Sequence, residues 1–453
     1  MQSAADPSAA CCGACAAEAD APTVAVAVAA PGPIALATGR PRPRRDVDRT
    51  IAGLSLGLAA LFVLAGMLVA VVGRLTGAGS WLPLHLVLAG AAGTAIAGVL
   101  PFFTAALAVA PPVDPRARLM AIGLIVVGAV LVVAAMGTGA TSMATVGGSV
   151  YLLGLVTVGV VAFRPLRGAL GPRRRVIESA YLGALVAVVV GVTLATTMLA
   201  GWAPVVERWA MLKPAHVWLN LVGSLSVIIV ATLTHLAPTV EGTRMRPRTA
   251  ARVALAGLGL GAAAVALGYA LGLDLLARAG AAIALGGAVA VPLHALAVRS
   301  TDDPWTTDRA WHRFATWSLR AGSGWFLAGM VVMGGRVIWL GADPLAWSVG
   351  SVAIPFVIGW VLQVLVGSWS HLIPALGPGD PAARATRRRL LGQGATVRFG
   401  GLNVGILLAW IGVAVDAPML LGVGALAIGL ALAGGVGLAA TAAHGRPRAV
   451  ATY

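Results

Sequence analysis

The sequence has few charged residues for its length and very few cysteines. Only 11% of its 453 residues are charged, whereas about a quarter of the residues in a soluble domain carry charge. Hydrophobic residues make up 59% of the chain, and the mean hydropathy is +0.91. This composition excludes an ordinary soluble protein. It predicts an all-α, polytopic membrane helix bundle, because helices satisfy their backbone hydrogen bonds within the lipid bilayer.

Cysteine is confined to residues 1–49, a stretch rich in alanine and proline that lacks a hydrophobic period. Cys11, Cys12 and Cys15 form the motif CCGAC, so disulfides do not hold the hydrophobic body together. Thiolates suit a soft metal ion such as Cu(I), and a tail that binds no metal is the alternative. We expect residues 1–49 to be a disordered cytoplasmic tail. We do not expect a signal peptide, because prolines interrupt the short apolar part and no basic segment precedes it.

Lysine is almost absent, since Lys213 is the only one, and arginine therefore carries most of the positive charge. The net charge of +16 would also suit a protein that binds nucleic acid. However, the arginines lie in short segments between apolar runs, where positive charge orients membrane proteins. We therefore expect no nucleic-acid partner.

Apolar runs of roughly 18–25 residues, each long enough to cross a membrane as a helix, follow the tail. They predict a transmembrane domain over 50–443 and a short cytoplasmic tail over 444–453. We expect the protein to lie in the plasma membrane. Arginine clusters occur in alternate connections, so the positive-inside rule predicts that both termini are cytoplasmic. The twelve predicted spans are 51–73, 81–109, 119–136, 144–163, 178–199, 214–236, 253–273, 279–298, 319–340, 347–374, 397–415 and 418–440.

Sequence motifs of common hydrolases and nucleotide-binding enzymes are absent. There is no P-loop, no GxSxG and no HExxH motif. Carboxylates are confined to the connections and the ends of spans, so the sequence does not predict a proton relay through the middle of the membrane. This distribution weakens the interpretation as an ion-coupled transporter.

Five histidines lie near the ends of predicted spans. His85 in span 2 and His216 in span 6 lie at ends predicted to be external. His235, His294 and His371 lie at the predicted cytoplasmic ends of spans 6, 8 and 10. Polar side chains are costly in a membrane, so these imidazoles indicate partners or bound ligands. For each histidine, an interfacial position with hydrogen bonds to backbone or water is the alternative.

Two short motifs suggest an internal repeat. THLAP at 234–238 and SHLIP at 370–374 lie in spans 6 and 10, four spans apart. Four spans earlier, span 2 carries His85 and Pro101. These features predict a pseudo-threefold repeat of four helices, and chance similarity between apolar helix ends is the alternative.

The same features resemble known haem and copper proteins. Histidines on spans 2, 6 and 10 resemble the plan of subunit I of the haem–copper oxidases. The segments HLVLAGAAGTAIAGVL from His85 and HVWLNLVGSLSVIIVATLTHLAPTVEGTR from His216 are similar to the NnrS family of haem- and copper-containing membrane proteins linked to nitric oxide stress. They are also similar to the membrane part joined to some copper nitrite reductases. The chain has no adjacent His-His pair, so we do not expect oxygen reduction at a binuclear centre.

The resemblance implies a haem or copper site at the external end of the bundle, with His85 and His216 as ligands. Asn220 follows His216 by one helical turn and is expected to orient its imidazole or to face a bound ligand. An external electron donor or a cupredoxin-type protein would be the redox partner.

Other residues have weaker assignments. Glycines at positions 90, 93 and 223 would leave room for a flat macrocycle, and helix packing explains them equally well. Arg336 is expected to extend toward the membrane interface, and pairing with a haem propionate is the alternative.

The histidines at the predicted cytoplasmic end form a second candidate site. His235, His294 and His371 would suit copper or zinc where they converge. Pro238 and Pro374 are predicted to stop the two helices, which would let the imidazoles turn toward the loops.

Three functions are compatible with the sequence. The first is a haem- or copper-binding membrane protein of nitrite, nitric oxide or respiratory redox metabolism. The second is a small-molecule transporter whose histidines bind or gate a substrate. The third is a non-catalytic accessory membrane subunit.

Overall fold

The computed structural model describes residues 43–76, 79–110, 113–168, 175–243, 249–298, 309–344, 349–376 and 381–444. Within these ranges the chain is helical apart from short turns, and no β-strand occurs. The predicted all-α class is confirmed. Cys11, Cys12 and Cys15 lie outside the described residues, so metal binding by the CCGAC motif stays a prediction.

Twelve helices in the described ranges are long and apolar enough to cross a membrane, which confirms the predicted number. Most helix ends lie close to the predicted ones. In chain order, spans 1 to 12 are Pro43–Thr76, Trp81–Leu107, Pro115–Thr138, Thr141–Phe163, Arg175–Leu199, Trp209–Val240, Thr249–Leu271, Asp274–Ala297, Arg309–Leu340, 349–376, Ala395–Ala414 and Pro418–His444. We call the end of the bundle with the connections 139–140, 272–273 and 341–344 the arginine-poor end, and the opposite end the arginine-rich end.

Span 1 begins earlier than the sequence predicts. Residues 43–49 were assigned to the disordered tail, but they form the first turns of the helix Pro43–Thr76. Asp48 in these turns accepts a hydrogen bond from the buried guanidinium of Arg118 on span 3. The helix therefore begins before residue 50, where the transmembrane domain was predicted to start, and an ion pair holds these additional turns against the bundle.

The ends of span 3 illustrate how local sequence sets helix boundaries. Asp114 precedes the helix, and its carboxylate accepts a hydrogen bond of 3.3 Å from the backbone N–H of Arg116. Pro115 occupies the first helical position, where its fixed φ is suitable and its missing N–H costs nothing. Gly139 ends the helix with a φ of 73°, a left-handed conformation that glycine adopts without strain. Span 4 then begins at Thr141.

Spans 2, 6 and 10 form the centre of the bundle. The most apolar windows of these spans are 61%, 72% and 78% buried by protein, whereas no other span exceeds 50%. The other spans therefore expose much more of their surface to lipid. The three histidine-bearing spans of the predicted repeat are thus also the three central ones.

A further helix, Pro381–Gly392, connects spans 10 and 11. The sequence analysis treated its arginines only as part of a charged loop. Arg387 is buried and its Nε donates to the carbonyl oxygen of Ala442 on span 12 at 3.0 Å. Arg398 on span 11 donates through Nη2 to the carbonyl oxygen of Leu391 at 2.6 Å. These bonds fix both the middle and the end of the helix to the bundle.

The membrane orientation stays a prediction, which reporter fusions test. Fusions after Met143 and after Ala342 lie at the arginine-poor end and are expected to give an external signal, because arginine-rich connections are retained in the cytoplasm. A fusion after Arg389, at the opposite end, is the control and should give a cytoplasmic signal. A cytoplasmic signal from either of the first two fusions would contradict the predicted orientation.

Candidate functional site

Spans 2, 6 and 10 each contain a π-helical segment, in which the backbone turn is wider than in an α-helix. The segments are Leu86–Ala92, Trp218–Ser226 and Ile354–Leu362. π-Helical turns are rare in proteins, and those that do occur are often found at functional sites. They recur here at intervals of four spans, as the predicted repeat requires. The sequence analysis did not predict them.

Side chains bond to the carbonyl groups of two of these segments. The Tyr151 hydroxyl on span 4 donates to the carbonyl oxygen of Ala89 at 3.1 Å, and the Ser226 hydroxyl donates to that of Leu221 at 2.8 Å. The indole N–H of Trp360 on span 10 donates to the Ser226 hydroxyl at 3.2 Å. The π-helical segments of spans 6 and 10 are therefore tied together inside the bundle.

His85 and His216 lie beside the π-helical segments at the arginine-poor end, and each imidazole is fixed by a backbone carbonyl. His85 Nδ1 lies 2.8 Å from the carbonyl oxygen of Trp81, and His216 Nδ1 lies 2.7 Å from that of Gly191 on span 5. Since a carbonyl accepts, Nδ1 carries the proton in both rings. In the neutral imidazole, Nε2 then keeps the lone pair that can bind a metal.

Both imidazoles lie at this end of the bundle, near enough for His216 to act electrostatically on His85. Each lies beside a tryptophan. The His85 ring stacks on Trp81 with 4.1 Å between ring centroids, and the His216 ring lies 6.1 Å from that of Trp209. The Trp81 indole thus covers one face of the His85 ring.

Asn220 makes the predicted contact with His216. Its carboxamide lies 3.0 Å from His216 Nδ1. When its oxygen faces the ring, it accepts from the Nδ1–H group together with the Gly191 carbonyl. That orientation gives a partner to Asn220 Oδ1, which is buried and otherwise has none among the described residues. Gly191 permits this contact, because a Cβ atom there would lie 2.6 Å from Asn220 Oδ1.

The glycines at positions 90, 93 and 223 lie close to side chains of neighbouring spans. A Cβ atom at Gly90 would overlap the Phe62 ring, and one at Gly93 would overlap the Tyr151 hydroxyl. A Cβ atom at Gly223 would lie 3.2 Å from Ala262. Side chains of neighbouring spans therefore pack against these glycines, as the helix-packing alternative predicts.

The histidines nearer the arginine-rich end do not share one site. In the described ranges, no group of three or more His, Cys, Asp or Glu side chains is placed to hold a metal ion. The His235 ring packs against Phe103 with 4.9 Å between centroids. His294 lies on span 8, which packs mainly against spans 7 and 9. Among the described residues, His235, His294 and His371 thus do not form the group of three converging ligands considered above.

His371 instead pairs with His312, which the sequence analysis missed. The two buried rings lie 5.6 Å apart and are inclined by 36°. His312 falls outside the predicted span 9, which was expected to begin at residue 319, whereas the helix begins at Arg309. Phe314 and Trp317 are three residues apart, as on one face of a helix. This spacing could have indicated that the helix begins before residue 319.

Pro238 and Pro374 do not end their helices, contrary to the prediction. Span 6 continues to Val240, and the helical part of span 10 continues to Leu376. Pro238 removes the N–H donor for the carbonyl of Thr234, and next to it Thr239 Oγ1 donates to the carbonyl oxygen of His235 at 2.8 Å. Both His235 and His371 consequently remain buried in the bundle.

Arg336 lies in span 9, one turn before its end at Leu340, and is half-buried. This position agrees with a long cationic side chain that runs along the bundle toward the membrane surface. Its pairing with an anionic cofactor group stays a hypothesis.

Comparison with known proteins gives no family for this chain. No protein-family model matches it, and a search of curated proteins finds no match. The resemblance to NnrS proteins therefore stays a hypothesis.

Proposed function

We propose that this protein is an integral membrane metalloprotein that binds copper through His85 and His216 and takes part in nitrite, nitric oxide or other respiratory redox metabolism. The observation that carries the proposal is the common arrangement of the two imidazoles. Each Nδ1–H group donates to a backbone carbonyl, and both rings lie at the arginine-poor end, directly before the π-helical segments of spans 2 and 6. Metal-binding histidines are commonly oriented by such a hydrogen bond from the second ring nitrogen.

Copper is favoured over haem by the close packing of span 2 beyond His85. Imidazole nitrogen is a good ligand for copper, and one ion needs little space. The side chains of Phe62 and Tyr151 occupy the space at Gly90 and Gly93 that a macrocycle would need. Haem is the alternative cofactor, for which Arg336 is the candidate partner of a propionate.

The position of the site supports a redox role. His85 and His216 precede the π-helical segments of spans 2 and 6 and lie near the arginine-poor end, which is predicted to be external. A bound copper ion supplies one-electron chemistry, and the chain's own residues orient the ligands and limit the access of water. An external donor, such as a cupredoxin-type protein, could deliver electrons there without crossing the bilayer.

Metal content and absorption spectra test this proposal. We expect protein purified from cells supplied with copper and haem to contain about one copper ion per chain, since one pair of imidazoles forms one site. His85→Ala and His216→Ala should each lose the copper, because a single imidazole is a weak site. The measurements are elemental analysis and an absorption spectrum that also detects a haem Soret band.

His294→Ala is the matched control, because His294 is also a buried histidine on a span but lies outside the proposed site. It should retain the copper. A Soret band that depends on His85 and His216 would assign the same ligands to haem. Wild-type protein that contains neither copper nor haem would falsify the proposal and leave the transporter and accessory-subunit hypotheses.

A further inference from the structure

A cavity of about 120 Å³ lies between the three central spans, in the half of the bundle nearer the arginine-rich end. Span 1 contributes Leu56 to its wall. The other lining residues come from three stretches, 92–103 in span 2, 225–236 in span 6 and 361–372 in span 10. The cavity is therefore formed mainly by the three spans that the four-helix repeat relates to one another.

The three stretches share a register as well as a location. Each covers twelve residues, and each begins within one residue of the end of a π-helical segment, at Ala92, Leu225 and Val361. In spans 6 and 10 the last lining residue directly follows a histidine of the THLAP or SHLIP motif. The cavity thus extends from the π-helical segments to the depth of those histidines, so it is a feature of the repeat and not of one irregular side chain.

The wall of the cavity is almost entirely hydrocarbon. The exceptions are Thr232, Ser368 and Trp369. The Thr232 hydroxyl is engaged outside the cavity wall, since it lies 3.0 Å from the hydroxyl of Tyr181. Ser368 and Trp369 are neighbours on one span. A buried water molecule needs about two to four polar partners, so most of this volume is unsuitable for water.

We propose that this cavity is a binding site for a small apolar molecule, from a diatomic gas or xenon up to a hydrocarbon the size of benzene. An engineered apolar cavity of about 150 Å³ stays dry and binds benzene or xenon, and the cavity here is of similar volume and lining. The cavity is only partly enclosed, so the acyl chain of a neighbouring lipid is the competing occupant. Empty space in a packed interior lowers stability in proportion to its volume, so an apolar occupant is favoured.

This site is distinct from the proposed copper site. His85 and His216 precede the π-helical segments of spans 2 and 6, whereas the lining of the cavity begins where these segments end. Neither histidine lines the cavity. Failure of copper binding would therefore leave this proposal intact, and the reverse also holds.

Xenon binding to crystals of the full chain tests the proposal. Under xenon pressure we expect an anomalous scattering peak between Ala95, Leu233 and Leu365, which face the cavity from the three central spans. Ala95→Leu should abolish the peak, because the added side-chain carbons fill the cavity. Ala106→Leu makes the same change on an exposed position of span 2 and should retain it.

Leu233→Ala is a second test variant, and it does not require the fold to accommodate a larger side chain. It enlarges the cavity and should preserve or strengthen the xenon peak. The proposal is wrong if the wild-type protein shows no peak at this position, or if density there belongs to ordered water or an acyl chain. A xenon peak that persists unchanged in folded Ala95→Leu protein would also contradict it.

Discussion

Gly128→Val is expected to prevent spans 3 and 4 from packing and to remove most of the folded protein from detergent extracts. A Cβ atom at Gly128 would lie 2.6 Å from the backbone nitrogen of Tyr151 and 2.7 Å from its Cα. Because backbone cannot move aside as a side chain can, we expect a loss of about 3 kcal/mol or more in stability, at or above the usual cost of overpacking. Size-exclusion chromatography and thermal unfolding measure the effect.

Gly123→Val is the matched control on the same helix. A Cβ atom at Gly123 would meet no atom within 4 Å, and the residue is exposed on the bundle surface. This variant should yield as much folded protein as the wild type, since valine is well tolerated in membrane helices. Equal yields of the two variants would mean that spans 3 and 4 do not approach through Gly128.

Arg118→Met is expected to lower the melting temperature strongly. Arg118 is 2% exposed, pairs with Asp48 of span 1 and donates through Nη2 to the carbonyl oxygen of Gly98 on span 2 at 3.3 Å. It therefore joins three spans. Its removal leaves the largely buried Asp48 carboxylate without this cation, and breaking a buried ion pair costs roughly 3–5 kcal/mol. We expect a value near the lower limit, because Asp48 is 21% exposed.

Two variants separate this ion pair from a general effect of lost charge. Arg116→Met removes an exposed arginine from the same helix and should change the melting temperature little. Arg118→Met combined with Asp48→Leu replaces both charges with apolar groups and should recover much of the lost stability, as replaced buried pairs often do. A double variant no more stable than Arg118→Met would contradict the proposed role of the pair.

The number of charges in each connection predicts the membrane orientation, but it does not predict what the individual arginines at the arginine-poor end bind. Arg208 donates to the carbonyl oxygen of Ala270. Arg278 donates to those of Ile338 at 2.5 Å and Trp339 at 2.9 Å. The accepting carbonyls lie at the ends of spans 7 and 9, where helices lack internal partners. These cations therefore stabilise helix ends, a role that depends on which helices are neighbours and that no local charge pattern reveals.

Some features of the candidate site could be predicted from the sequence, and others depend on which helices are neighbours. The positions of His85, His216 and Asn220 at one end of the spans were predictable, because a helix of known direction assigns each residue a depth. The carbonyl that fixes His216 belongs to Gly191 on another span, and the partner of His371 is His312 on span 9. Such partners are distant in the sequence, so they could not be predicted from a single helix.

The sequence by itself determined the helical class and the number of spans, and it indicated a four-span repeat, because the bilayer requires each crossing segment to be apolar and long enough. Only the tertiary structure decided that spans 2, 6 and 10 lie at the centre, that each contains a π-helical segment, and that a cavity lies between them. These features depend on close packing between segments far apart in the chain. Hydrophobicity makes every span suitable for lipid, but it does not specify which side chains and carbonyl groups meet inside the bundle.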